Sequence, residues 1–362
     1  MSATMQADER TKASQSPLML VSARVSSSTR EDAASGVRPW SEYLVLERDH
    51  GVRLLDWSRL RSEPDRRSGR AVVTHALAGV RAGRSAPALL SDGEHVGLPL
   101  AAALAVTPRR PRHVVIAHHL NTRSKQRFLA VPRVAPSIDA FVVHSDSQVE
   151  ALTSGLGLPA DRVHLVPYGV DTGFWAPGDD ESTAPLVVSA GREHRDYATL
   201  AQAVDGLPAQ VFVADGSSHS PAAHRRSPTT WPANVERGSL PPAELRSLYR
   251  RAAVVVVPMV ETDFPAGITV IAEAMSTGKA VVVTATRGLR GAVADPGALV
   301  EVPVGAPDAM RAAIQQLLDS PARRAELGAR ARSVAVAHHD VHRFAQTLMD
   351  LMMPAGGTHD AV

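Results

Sequence analysis

The 362-residue chain contains no cysteine. That absence excludes disulfides, zinc–thiolate sites, iron–sulfur clusters and a thiol nucleophile, and it is compatible with a reducing cytoplasm. Long apolar runs are missing as well: Ala252–Val257 and Ala280–Val283 are among the longest, far short of the roughly 20 residues needed to cross a bilayer. No membrane span is expected. Met1–Ser16 is polar and precedes an apolar patch, Leu18–Val21, too short for a signal-peptide core, so it reads as a disordered tail of a cytoplasmic protein. An excess of charge of one sign is also lacking, since 39 basic residues less 37 acidic ones leave +2. Whole-molecule charge therefore gives no argument for nucleic acid as a partner. Lysine occurs only at positions 12, 125 and 279, and the other 39 − 3 = 36 bases are arginine, a bias of base composition rather than a binding signature. His118-His119 and His338-His339 lack ligand spacing, so no metal site is expected.

What the chain does have is length for about two domains and a repeating alternation. Short apolar runs at 18–25, 53–56, 88–92, 113–118, 140–145 and 162–168 are separated by stretches of helical spacing, for example 40–49, 96–106 and 147–156. Several runs are apolar without alternation, as strands buried on both faces are. Strand–helix–strand repetition implies right-handed crossovers and a parallel sheet, so the class is α/β. A segment rich in Gly, Pro, Asp, Ser and Thr follows at 172–184, and the alternation restarts with strands expected at 186–190, 210–214, 253–258, 280–286 and 299–302. Helices are expected at 196–204, 243–251 and 268–277, with Gly278 as a left-handed C-cap, and 217–234 reads as a surface loop. The division is a tail at 1–16, an N-terminal domain at 17–171, a linker at 172–184, a C-terminal domain at 185–338, a closing helix at 339–354 and a tail at 355–362. That closing helix carries Phe344, Leu348, Leu351 and Met352 on one face.

Ligands of open α/β sheets bind outside the carboxyl ends of the strands. Polar residues cluster there. Gly191-Arg192-Glu193-His194-Arg195-Asp196 follows one strand, and guanidinium forks match phosphate oxygens; ion pairing of Arg192 and Arg195 with Glu193 and Asp196 is the alternative. Glu261-Thr262-Asp263-Phe264-Pro265-Ala266-Gly267-Ile268-Thr269 follows another and opens a helix holding Glu273. Amides at a helix N-terminus bind anions, Gly267 permits close approach, and Thr269 and Glu273 share a face, although a solvated Glu273 fits equally. Asp92-Gly93-Glu94-His95 follows a strand in the first half, making Glu94 and His95 either acceptor contacts or helix caps.

The run from Ala266 to Val282 resembles the donor-site helix of family 4 retaining glycosyltransferases, which have the GT-B fold of two Rossmann-like domains facing each other across a cleft. Ser189-Ala190-Gly191-Arg192, Val166 to Phe174 and Phe141 to Ser145 agree in order and spacing. The resemblance covers about residues 18–353, is specific in the second half, and implies that the closing helix at 339–354 returns to the N-terminal domain. It implies a nucleotide-diphosphate sugar, UDP- or GDP-linked, as co-substrate with no other cofactor, held mainly by the C-terminal domain. Arg192 would take the diphosphate, with Arg195 replacing a lysine of the family. Glu273 would accept from the ribose, the backbone around Ala266, Gly267, Ile268 and Thr269 would hold phosphate and sugar, and the base would rest near Val235 to Gly238. His118 matches the histidine that approaches the anomeric carbon. The acceptor would be a small molecule, a glycan or a lipid-linked molecule, and no Asp-x-Asp is present to carry the diphosphate on a divalent ion.

The chain departs from the family at one carboxylate: the family motif has two glutamates with seven residues between them, and counting back from Glu273 puts the first at Pro265. Glu261 and Asp263 lie in the same loop as substitutes. The glycine-rich loop after the first strand is also replaced, by Ser26-Ser27-Ser28-Thr29. These departures leave two further readings beside the transferase: a catalytically silent GT-B subunit that binds nucleotide or a partner, and a sugar-nucleotide epimerase.

Overall fold

The computed structural model describes residues 16–59, 69–178, 185–216 and 226–354. The expected tails at 1–16 and 355–362 lie outside these residues almost entirely, as do the end of the linker and the first half of the loop at 217–234. Two parallel six-stranded sheets form. The first comprises β1 (Leu18–Leu20), β2 (Arg53–Leu55), β3 (Ala88–Ser91), β4 (Arg112–Ile116), β5 (Ala140–Val143) and β6 (Val163–Leu165), in the order β2-β1-β3-β4-β5-β6. The second comprises β7 (Leu186–Ala190), β8 (Gln210–Ala214), β9 (Val235–Gly238), β10 (Val254–Val257), β11 (Ala280–Thr284) and β12 (Val300–Val302), in the order β12-β11-β10-β7-β8-β9. Each sheet reverses its order once, between β1 and β3 and between β7 and β10, and each reversal opens a crevice at the strands' carboxyl ends. This is the GT-B arrangement, two Rossmann-like domains.

Burial explains the strand composition. All four valines of β10 are fully buried, as are Ala140 to Val143 of β5, because helices cover both faces of each sheet. β1 is shorter than its apolar run. After Val21 the chain leaves the ladder, and side chains hold it instead: Ser22 N–H donates to Asp92 Oδ2 at 2.5 Å and Val25 N–H to Asp56 Oδ2 at 2.6 Å. The serine-rich stretch that follows is not a loop but the start of a helix, Ser27–Ala34, because Ser26 and Thr29 form a reciprocal cap. Helices Gly69–Ala82 and Arg123–Leu129 were not foreseen from the sequence.

The chain crosses between domains twice, side by side. Val170 N–H donates to His339 O at 2.8 Å, and Val341 N–H donates back to Val170 O at 2.9 Å. Asp171 fixes the crossing by accepting from Trp40 N–H, Gly173 N–H and Phe174 N–H at 2.9, 3.1 and 2.8 Å. The last helix, Val341–Met352, then buries Phe344, Leu348 and Met352 in the core formed by Met19, Leu44 and Val142 of the N-terminal domain. Each such side chain contributes about 1.5–3 kcal/mol on burial.

Candidate active site

At the β7/β10 crevice the backbone is bare. Gly191 follows β7 with φ 99°, and Gly267, with φ 86°, opens the helix Ile268–Ser276, whose N-terminus no side chain caps. Both glycines are required by what lies behind them. A Cβ on Gly191 would stand 2.2 Å from Arg195 Nη2, and one on Gly267 would stand 3.0 Å from Met259 Sδ and 3.3 Å from Arg195 Nη1. Arg195 therefore does not sit at the mouth of the cleft as its place in the sequence suggests. It folds back under the two glycines, only 3 % exposed, with Nε donating to Ala190 O at 2.8 Å and Nη1 to Glu193 O at 3.0 Å. Burial lowers its pKa, opposed by Tyr197, Tyr249, Glu193 and Glu273. A guanidinium bonded to no carboxylate among the described residues, set behind an uncapped helix N-terminus, makes this crevice strongly attractive to an anion.

Glu273 lies one turn inside that helix, half-buried. Burial pushes its carboxyl up to about 8, against a 3.3 Å hydrogen bond donated by Tyr249 Oη and the charge of Arg195. Arg192 is half-buried just past β7, Thr269 is exposed on the first turn, and Ala266 and Ile268 are buried on either side of Gly267. Gly238 ends β9 next to Ala214, leaving a shallow backbone shelf over Phe212.

The opposite wall carries His118, exposed two residues past β4. Its Nε2–H donates to Asp92 O at 2.8 Å, which leaves Nδ1 as the accepting nitrogen, and its backbone N–H donates to Glu94 Oε2 at 3.0 Å. Glu94 is not an open acceptor contact. It is 6 % exposed and its other oxygen accepts from Lys125 Nζ at 2.7 Å; burial alone would raise its pKa, but His118 and Lys125 outweigh that and hold it at about 2. His95 is exposed and flanks Gly93 together with His118.

Sequence reasoning missed three groups here. Asp92 spans the β1/β3 crevice to Ser22, with hydrogen bonds of 2.5 Å from the amide and 2.7 Å from the hydroxyl. Glu42 has its pKa raised by burial and by Asp92, and only the direction of apolar spacing, not its chemistry, marked that helix in the sequence. Tyr168 packs edge-on to His144 at 5.4 Å and lies 6.5 Å from the His118 ring; burial raises its pKa, opposed by the neighbouring Thr269 hydroxyl.

The loop carrying Glu261 and Asp263 is committed to other contacts. Glu261 Oε1 accepts, at 2.9 Å, from the N–H of Arg287, the first residue of the short turn Arg287–Leu289. Asp263 lies on the seam between domains: its carbonyl accepts from Asn121 Nδ2 at 2.5 Å and Ser147 Oγ at 2.9 Å, and its carboxylate faces His119 Nε2 at 3.7 Å. Phe264 stacks on His119 at 4.0 Å. Among the described residues no group of three or more His, Asp or Glu could hold a metal ion, and no helix is long and apolar enough to cross a membrane.

Comparison with known proteins meets this geometry from both halves. The family described as Glycosyltransferase Family 4 matches residues 27–174, and the family described as Glycosyl transferases group 1 matches residues 185–320. A D-inositol 3-phosphate glycosyltransferase of Xylanimonas cellulosilytica is 34% identical over 234 residues, 58% of this chain and 55% of that protein. An alpha-maltose-1-phosphate synthase of Mycolicibacterium smegmatis is 26% identical over 66% of this chain and 72% of its own length. The chain spans about half the length of several of the curated relatives it matches. Among solved structures, sucrose-phosphate synthase of Thermosynechococcus elongatus superposes with a TM-score of 0.71 at 17% identity, covering 93% of this chain and 98% of that one. HepE of Anabaena in complex with UDP-glucose gives 0.64 at 15% identity, covering 92% and 98%. Each half of the chain thus matches one glycosyltransferase family, in order, and the GT-B fold is shared along nearly its whole length.

Proposed function

We propose that the protein is a retaining glycosyltransferase that moves a sugar from a UDP- or GDP-linked donor to a hydroxyl acceptor. The observation that carries this reading is the β7/β10 crevice, where Gly191 and Gly267 expose an uncapped helix N-terminus with the Arg195 guanidinium directly behind it. The solved HepE complexes contain UDP and UDP-glucose, which supports a nucleotide-sugar donor here. Transfer passes through an oxocarbenium-like state while negative charge grows on the departing diphosphate, so fixed positive potential at that leaving group is the main catalytic need. The helix start and Arg192 meet the phosphate oxygens; Arg195 adds its field from beneath. Glu273 accepts from the ribose once the nucleotide recruits its ionised form, and the base lies over Gly238.

On the other wall His118 presents Nδ1 as an acceptor, held by Asp92 O and Glu94. It orients and polarises the acceptor hydroxyl, whose proton passes to the leaving phosphate on the same face of the sugar; this is the step that retains configuration. Asp263 is the carboxylate of the substituted loop that stands nearest that wall, and it serves sugar recognition in place of the residue lost at Pro265. No divalent ion is needed by this scheme, so transfer should survive a chelator.

Pro265 favours one other reading, a silent subunit that binds nucleotide without transfer. Incubation with UDP- and GDP-sugars and a panel of polyol, sugar-phosphate and lipid-linked acceptors separates the readings. Transfer with the anomeric configuration kept supports the proposal. Nucleotide binding without transfer supports the silent subunit, and isomerisation of the donor alone supports an epimerase.

A further inference from the structure

At the end of the N-terminal sheet away from the cleft, the loops entering β4 and β5 enclose a surface depression of about 480 Å³. Arg109, Arg110, Arg112 and Arg133 line it against a single carboxylate, Asp139, so its lining carries 4 − 1 = +3. Two of the four are engaged. Arg110 clasps Asp139 with both terminal nitrogens at 2.6 and 3.0 Å, and Arg112 Nε donates to Leu351 O at 2.7 Å. Arg109 and Arg133 are exposed, and their side chains make no hydrogen bond or ion pair among the described residues.

Backbone conformation singles out the same two residues. Among the described residues only three that are not glycine have positive φ: Arg109 at 50°, Arg133 at 68° and His194 at 55°. A side chain with a Cβ adopts that region at a cost glycine escapes, and such strain collects at functional positions. His194 belongs to the loop behind the cleft; the other two, far apart in sequence, converge on this depression. The five residues of β4, at about 3.3 Å each, put it roughly 16 Å from the strand end that carries the cleft, so it is separate from the site described above.

Two uncommitted guanidiniums, with a third already steered by a carboxylate, offer planar forks to the oxygens of a tetrahedral anion. We propose that this depression is a phosphate-recognising site, taking either a free phosphate ester or the phosphate of a lipid headgroup. Val106 and Val131, 79% and 49% exposed, stand on the same two loops beside the arginines, which suits a site met by both kinds of ligand.

The test compares wild type, Arg192→Ala, and the double variant Arg109→Gly/Arg133→Gly, in which glycine removes the guanidiniums and relieves the left-handed strain together. Inorganic phosphate is titrated calorimetrically, and vesicles of phosphatidylcholine with and without phosphatidylglycerol are tested by co-sedimentation. A phosphate site in the depression predicts binding that persists in Arg192→Ala and weakens at least roughly tenfold in the double-glycine variant, the scale of one lost charged hydrogen bond, while Tm holds or rises. A free-ligand source shows itself in the phosphate titration. A headgroup source shows itself as co-sedimentation with the phosphatidylglycerol vesicles that the variant loses. Equal phosphate and vesicle binding in wild type and double variant overturns the proposal. So does a fall in Tm that accounts for the loss, or binding of single-stranded RNA in place of either probe. Because Arg192→Ala disables the cleft alone, failure of this site and failure of the transferase reading give different patterns.

Discussion

The two halves place opposite charges at the same topological point. Between β1 and β3 the crevice is filled by Asp92, a carboxylate clamped to Ser22; between β7 and β10 it is underlain by Arg195 and left open by two glycines. Strand number, parallel pairing, a single reversal of order and burial are alike in both. One architecture thus makes an anion site or a carboxylate-lined wall according to the few residues that follow its central strands, which is why fold alone does not name a ligand.

The largest effect should come from removing the positive side of this contrast. Arg192→Ala and Arg195→Ala are each expected to lower turnover roughly 10²-fold or more, the cost of one preorganised contact to developing charge. Arg192→Ala should fold normally, whereas Arg195→Ala also strands Ala190 O and Glu193 O and should lower Tm. Turnover equal to wild type in both, with a verified donor, would show that the crevice does not hold the diphosphate.

A second effect concerns Glu273, whose carboxyl stays protonated to about 8 in the folded protein against an unfolded value of 4.5. The folded state therefore binds the extra proton between those values. Its stabilising contribution is complete below pH 4.5, declines as pH rises, and is gone above 8. Urea melts of wild type and Glu273→Gln should diverge over that window, wild type losing up to a few kcal/mol relative to the variant; parallel curves would contradict the buried carboxyl. Glu273→Ala should also weaken nucleotide binding.

The smallest effect lies on the bridge between the halves. Tyr168→Phe removes the buried hydroxyl that neighbours Thr269 and should cost about 0.5–1.5 kcal/mol, seen as a few-fold rise in donor KM with little change in Tm. An unchanged KM would mean that the tyrosine only packs against His144 and Phe344.

How much of this was legible in the sequence follows the same division. Ile268–Ser276 and its Gly267 start could be read because helix entry, helix face and left-handed glycine are local properties; Gly278 indeed has φ 71° just past the helix end. The apolar face Phe344–Leu348–Met352 likewise predicted a buried helix, and the N-terminal core receives it, as the family resemblance implied. Arg195 was misplaced because its burial depends on space left by Gly191 and Gly267, the latter 72 residues away at the start of the helix that follows β10. Glu94 was open between capping and acceptor contact because its partner, Lys125, lies 31 residues on. Asp92 and Ser22 meet across 70 residues, and no periodicity carries such a pairing.

The most direct measurement is titration of UDP and GDP into wild type, Arg192→Ala and Asp92→Asn. A donor site at the β7/β10 crevice predicts that one of the two nucleotides binds wild type, that Arg192→Ala weakens it at least roughly tenfold, and that Asp92→Asn binds it like wild type. Loss of binding in Asp92→Asn with Arg192→Ala unaffected, or no binding of either nucleotide to wild type, would contradict the assignment of the donor to the C-terminal domain.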